Sequence, residues 1–217
     1  MHYRDRIEAG RVLARALDRY RGRTDVLVLA LPRGGVPVGA EIARHLGAPL
    51  DLLIVRKLGA PGNEELAMGA IASGGVRVLN PDIVATLGVS EATIARVAAR
   101  EQRELERREL AYRGDRPRPP VEGRTVILVD DGVATGSTIR AALQALTLQK
   151  PKRIVVAVPV ASTSAHQHLL READEVVCPE VSSFFFAIGE FYDDFSQTSD
   201  EEVRALLAPA ATSRLAR

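Results

Sequence analysis

Five short apolar runs limit what this chain can fold into. DVLVLAL (25–31), LDLLIVRKL (50–58), RTVILVD (124–130), RIVVAVPV (153–160) and EVVCP (175–179) are nearly continuous in Val, Leu and Ile. A strand with one wet face alternates apolar and polar residues, whereas a strand covered on both faces need not. Helical patterns separate most of these runs: VPVGAEIARHLG (36–47), closed by Gly47, TIRAALQALTLQ (138–149) and SAHQHLLREA (164–173). Strands joined through helices make right-handed crossovers and a parallel sheet. The expected fold class is α/β, a parallel central sheet flanked by helices, with its core over about residues 25–180.

The middle of the chain breaks this alternation over 60–122. ELAMGAIASGGVRVLN (65–80) reads as a hairpin around Ser-Gly-Gly. SEATIARVAAREQRELERRELAYR (90–113) reads as a long helix, with Ser90 as N-cap and Glu104 four residues before Arg108. RGDRPRPPVEG (113–123) is a proline-rich connector, and an amphipathic helix is expected over 4–20. The expectation is a single domain over 1–217, with a helical excursion at about 80–122 and a hood and tail at about 180–217.

Composition removes several classes of function. The formal net charge is +1, so a basic surface for nucleic acid is not expected. Aromatics at 4% argue against a stacking platform for single strands. The single cysteine, Cys178, can form neither an internal disulfide nor a four-ligand zinc site, and it reads as a small buried residue at a strand end. The start of the chain has no apolar signal region, and VVAVPVA (155–161) is too short to span a bilayer, so a cytoplasmic protein with no membrane partner is expected. The helix over 96–113 reads as a solvated face, with a homodimer contact as the alternative.

VILVDDGVATGST (126–138) carries the chemistry. In an open parallel sheet, ligands bind beyond the carboxyl ends of the strands. Asp130 and Asp131 stand at such an end. The loop Gly132, Val133, Ala134, Thr135, Gly136, Ser137, Thr138 leads into a helix N-terminus, where free backbone N–H groups and the helix dipole suit a phosphate dianion. The acids suit vicinal sugar hydroxyls, or magnesium held directly or through water. Together they fit a ribose 5-phosphate. A Walker loop would need Lys where Ser137 stands, and a dinucleotide fingerprint would need a G-x-G-x-x-G that is absent here.

This stretch resembles the signature of the type I phosphoribosyltransferases, and the arrangement from about 25 to 180 is similar too. Its details resemble a bacterial group of that family with no assigned acceptor. The resemblance implies transfer of 5-phosphoribosyl from phosphoribosyl pyrophosphate to a nitrogenous base, with magnesium as cofactor and release of pyrophosphate, in nucleotide metabolism. The alternative is a non-catalytic sensor of phosphoribosyl pyrophosphate or a nucleotide. Arg33, Gly34 and Gly35 of LPRGGVPVG stand where the family binds pyrophosphate, and Arg56 and Lys57 are expected to reach the same edge of the sheet. Only three of the 29 basic residues are lysines, which makes Lys57 stand out. Asp130, Asp131, Arg33 and Lys57 are therefore the expected catalytic set. Phe186, Phe191 and Tyr192 are candidates for a hood over the acceptor. Two family features are missing. Residues 73–122 hold no Ser-Tyr pair, lysine or histidine to close over the site, and AVPVAST (157–163) lacks the lysine of members that act on 6-oxopurines.

Overall fold

The computed structural model describes residues 1–208; the end of the expected tail, 209–217, lies outside the described residues. The chain opens with α1 (Arg6–Ala16), β1 (Val26–Ala30), α2 (Gly35–Leu46) and β2 (Leu50–Leu52). The middle holds β3 (Val55–Ala60), β4 (Asn63–Ala72), β5 (Val76–Leu79), α3 (Pro81–Thr86) and α4 (Glu91–Arg113). Then come β6 (Thr125–Val129), α5 (Ser137–Leu148), β7 (Arg153–Ala157), β8 (Val160–Ser162), α6 (Thr163–Glu172), β9 (Glu175–Val177), β10 (Glu180–Ser182) and α7 (Asp200–Leu207).

The central sheet runs β2-β1-β6-β7-β9, all parallel. Every residue of β1 and β6 is buried. Alternate side chains enter opposite layers, as the pleat requires. Leu27, Leu29, Val126 and Leu128 pack with Ile139, Leu143 and Leu146 of α5 and Leu169 of α6. Val26, Val28, Ile127 and Val129 pack with Leu13 of α1 and with Val38 and Ile42 of α2. The continuous apolar runs thus have their cause in helices on both faces. The sheet's order also brings the carboxyl ends of β1 and β6 together, side by side.

One expected strand is two. The run 50–58 splits: β2 pairs with β1, while β3 leaves the central sheet and pairs antiparallel with β4. Adjacent Arg56 and Lys57 could not both be buried between two helical layers without large desolvation costs. They sit instead in a separate sheet, β3-β4-β5. Its β4–β5 hairpin turns at 73–75, where the Ser-Gly-Gly signal stands. The run 153–160 is also interrupted. Pro159, which has no N–H for a ladder, separates β7 from β8, and β8 pairs with β10 in a two-stranded sheet.

The 180–208 segment folds back onto the start of the chain. Tyr3 N–H donates to the Phe191 carbonyl at 2.9 Å, and Asp193 and Asp194 donate back to the carbonyls of Tyr3 and Arg4. Tyr3 and Tyr192 are both buried in this seam. No helix among the described residues is long and apolar enough to cross a membrane.

Candidate active site

The loop after β6 is anchored from behind and open in front. Val133 N–H donates to the Val160 carbonyl at 2.9 Å, and Ser162 N–H returns to the Val133 carbonyl at 2.9 Å. The Ser162 hydroxyl donates to the Ala134 carbonyl at 2.6 Å. Among the described residues, no protein acceptor takes the N–H groups of Ala134, Thr135, Gly136 or Thr138. They surround a cleft of about 180 Å³ lined by Asp130, residues 132–139 and Ile188. Ile188 can lie over the loop because residue 132 is glycine: a Cβ there would come within 2.5 Å of its side chain. Free N–H groups at the first turn of α5, with the helix dipole behind them, are suited to receive an oxyanion.

The two acids face different ways. Asp130 is half-buried and opens to the cleft. Burial above all, and the neighbouring Asp131 carboxylate next, push its pKa well above the usual carboxylate range. Asp131 is buried and turned toward α1. Its Oδ2 accepts from Arg6 Nε at 2.8 Å. Burial raises its pKa as well, while the Arg6 guanidinium opposes that rise. Arg6 is itself held: Nη1 donates to the Ser196 carbonyl at 2.7 Å, and its guanidinium carbon lies 3.9 Å from the centre of the Phe195 ring. The Asp131 carboxylate also rests on the β1–α2 loop. A Cβ on Gly34 would sit 1.9 Å from Asp131 Oδ2, so only glycine permits this packing.

A profile of the phosphoribosyl transferase domain matches residues 3–196, which include both acids, their loop and Arg6. The chain belongs to the phosphoribosyl transferase domain family. A Mycobacterium tuberculosis protein, named provisionally as a phosphoribosyl transferase, is 47% identical over 203 residues, which are 94% of this chain. The alignment covers 46% of that relative, so the chain spans about half the length of the curated relatives it matches first. A protein of Leifsonia xyli named bifunctional protein PyrR is 31% identical over 173 residues, 76% of this chain and 73% of its own. The crystal structure of TT1426 from Thermus thermophilus superposes with a TM-score of 0.85 at 47% identity, covering 95% of this chain and 98% of that one.

The other residues expected of a phosphoribosyl transferase site are dispersed. Arg33 leans toward Asp200 of α7, Nη1 to Oδ1 at 3.5 Å, and Asp200 also accepts from the Tyr112 hydroxyl at 2.9 Å. Arg56 and Lys57 do not reach one edge together, because successive residues of a strand point to opposite faces. Arg56 turns to α4, where its Nε and Nη2 both donate to Glu101 Oε2, at 2.9 and 2.6 Å. Lys57 faces α5 and lines a different, larger cleft. The structure therefore does not gather Arg33, Arg56 and Lys57 around one anion.

The expected hood residues also divide. Tyr192 is 5% exposed and has no face left for an acceptor. It belongs to the floor instead: its hydroxyl donates to the Asp131 carbonyl at 2.6 Å, and its ring packs on Tyr3 and Phe195. Phe191 packs against Phe185, and Phe186 is 84% exposed. Ile188, not an aromatic residue, covers the cleft. Sequence reading missed Arg6, Ile188 and Gly34's packing role, since each depends on partners far along the chain.

For a metal, the described residues offer no cluster of three or more His, Cys, Asp or Glu side chains. The available donors are Asp130 and the Arg6-bound Asp131. Such a set fits magnesium, which keeps several waters and takes one or two carboxylates plus substrate oxygens. It does not fit an ion needing an all-protein cage.

Proposed function

We propose that this chain transfers 5-phosphoribosyl from phosphoribosyl pyrophosphate to a nitrogenous base and releases pyrophosphate. One observation supports this most: a half-buried carboxylate and several unsatisfied N–H groups line the same small cleft at the end of β6. The loop 134–138 receives the 5-phosphate, and Asp130 accepts hydrogen bonds from the ribose hydroxyls. Binding the phosphate, remote from the reacting carbon, fixes the sugar's orientation.

As the bond from C1 to the pyrophosphate oxygen breaks, its electron pair leaves with pyrophosphate and the ring gains oxocarbenium-like charge. Asp130 lies on the side where that positive charge grows. A nitrogen lone pair of the acceptor then forms the new bond to C1. Asp131 acts through its neighbour: held by Arg6 and Gly34, it donates its backbone N–H to Asp130 Oδ1 at 2.9 Å and keeps that carboxylate aimed. Magnesium, when held by Asp130 directly or through water, supplies positive charge for the diphosphate oxygens.

A second reading, a non-catalytic sensor of the same ligand, is favoured by the dispersal of Arg33, Arg56 and Lys57. A screen of bases for magnesium-dependent pyrophosphate release separates the two. Release with at least one base is the expected result. Tight donor binding with no release from any base would establish the sensor instead.

A further inference from the structure

Among the clefts that the proposed transfer leaves unused, one lies between the antiparallel sheet and the start of α5. It lies on the face of β3 opposite Glu101, between β4, β5, the start of α3 and the first turns of α5, and measures about 400 Å³. Its polar lining is Lys57, Asn80, Ser137, Arg140 and Gln144; the rest is aliphatic or glycine. No carboxylate lines it among the described residues. Arg140 is paired with Glu172 outside this lining, so among the described residues Lys57 is the cation that makes the cleft positive, and low-dielectric walls concentrate that potential.

The donors there are only partly occupied. No described residue pairs with the Lys57 ammonium. Asn80 uses Oδ1 to accept from Ile83 N–H at 3.3 Å, which leaves its two amide hydrogens free to donate. Arg140 gives Nε and Nη2 to Glu172 at 2.7 and 2.6 Å, leaving Nη1 without that partner. Ser137 adds a hydroxyl, and it lines the phosphate cleft as well. A lysine among so many arginines suits this position: its compact ammonium can meet an oxyanion from any direction, where a planar guanidinium needs a fork.

We propose that this cleft is a second anion site, which takes the phosphate group of a phosphorylated small molecule other than the donor. It rests on the reading of the 132–138 loop as the donor's phosphate site only for the statement that the two are separate. Ser137 belongs to both linings, so an anion at Lys57 adjusts the turn that begins α5. It also ties the antiparallel sheet to that helix. The occupant is thus placed to modulate donor binding.

Tungstate, a phosphate mimic with strong anomalous scattering, tests this in crystals and by calorimetry. Two ions are expected, one on the N–H groups of 134–138 and one on Lys57. Lys57→Gln should weaken the second by about tenfold or more, the worth of one hydrogen bond to a charged group, and leave the first unchanged. Ala70→Glu should do the same while retaining the lysine, because Ala70 pairs directly with Lys57 across the sheet. Saturating magnesium and phosphoribosyl pyrophosphate should displace only the loop ion. The proposal is overturned by no ion at Lys57, by an ion there indifferent to both substitutions, or by the donor displacing both ions. An ion at Lys57 with none on the loop would keep this site and sink the donor reading.

Discussion

Two pairs of like charges, adjacent in sequence, are divided in parallel ways by this fold. At the end of β6, Asp131 is buried against Arg6 while Asp130 opens to the cleft lined by residues 132–139. Along β3, Arg56 is paired with Glu101 while Lys57 opens to the larger cleft. The difference lies in the surroundings. The acid pair ends a strand covered on both faces, and its paired member is as buried as its arginine, each side chain 11% exposed. The basic pair lies within a strand, and Arg56 is 29% exposed. One member of each pair therefore serves the structure and the other faces a cleft, but the structural member at β6 matters more. A buried charge that loses its partner is costly, whereas a partly exposed one is relieved by water.

Arg6→Gln tests that contrast most strongly. It strands the Asp131 carboxylate, and a loss of about 3–5 kcal/mol in stability is expected from denaturant unfolding. Adding Asp131→Asn should restore much of it. A loss below about 1 kcal/mol would mean that the acids are not divided as described. Next comes Asp130→Asn, expected to weaken binding of the magnesium-loaded donor about 100-fold by calorimetry, equivalent to losing two hydrogen bonds to a charged group. Its unfolding midpoint should not fall, since the substitution removes a half-buried charge that lacks an ion-pair partner. Equal donor binding by the variant and the parent protein would count against Asp130 as the ribose contact.

Arg56→Gln is the counterpart in the antiparallel sheet. Arg100 also bonds Glu101, at 3.0 Å, so about 1 kcal/mol of stability and no change in donor affinity are expected. A large loss of donor binding would bring Arg56 back to the site. The smallest effect concerns the seam beneath Asp131. Burial raises the pKa of both Tyr3 and Tyr192. The folded protein therefore keeps phenolic protons that the unfolded chain releases above about pH 10. Their contribution is fully present below that pH and declines as pH rises through it. Tyr192→Phe should flatten the decline in an unfolding series between pH 9 and about pH 11.

The sequence shows much of the fold because local pattern and burial agree in the core. Continuous apolar runs at 25–31 and 124–130 became strands covered on both faces. Ser-Gly-Gly became the hairpin turn, and Ser90 caps α4 by accepting from Thr93 N–H. The turn from β6 into α5 was legible because its small residues, acids and helix start are contiguous. Other features had no local sign. Nothing at Leu53-Ile54 marks the change of sheets, since the apolar run continues through it. Arg6 looks like any arginine at a helix start, with its partners 125 and 190 residues away. Tyr192 follows a phenylalanine-rich stretch that reads as a wall, and its burial and its hydrogen bond to Asp131 show that it faces the floor. Helix α3 carried a readable start, Asn80 as cap and Pro81 at the first position, inside a segment read only as an excursion.

The stitching of residues 3–6 to residues 191–196 sets an order of events during synthesis. Tyr3 and Arg6 leave the ribosome before the groups of 191–196 that hold them. At about 5–20 residues per second, the guanidinium waits on the order of ten seconds or more for Ser196. Asp131 emerges well within that interval, so the pair can form early, but without its Phe195 cover. The nascent chain thus builds the loop after β6 before the clasp behind it can shut.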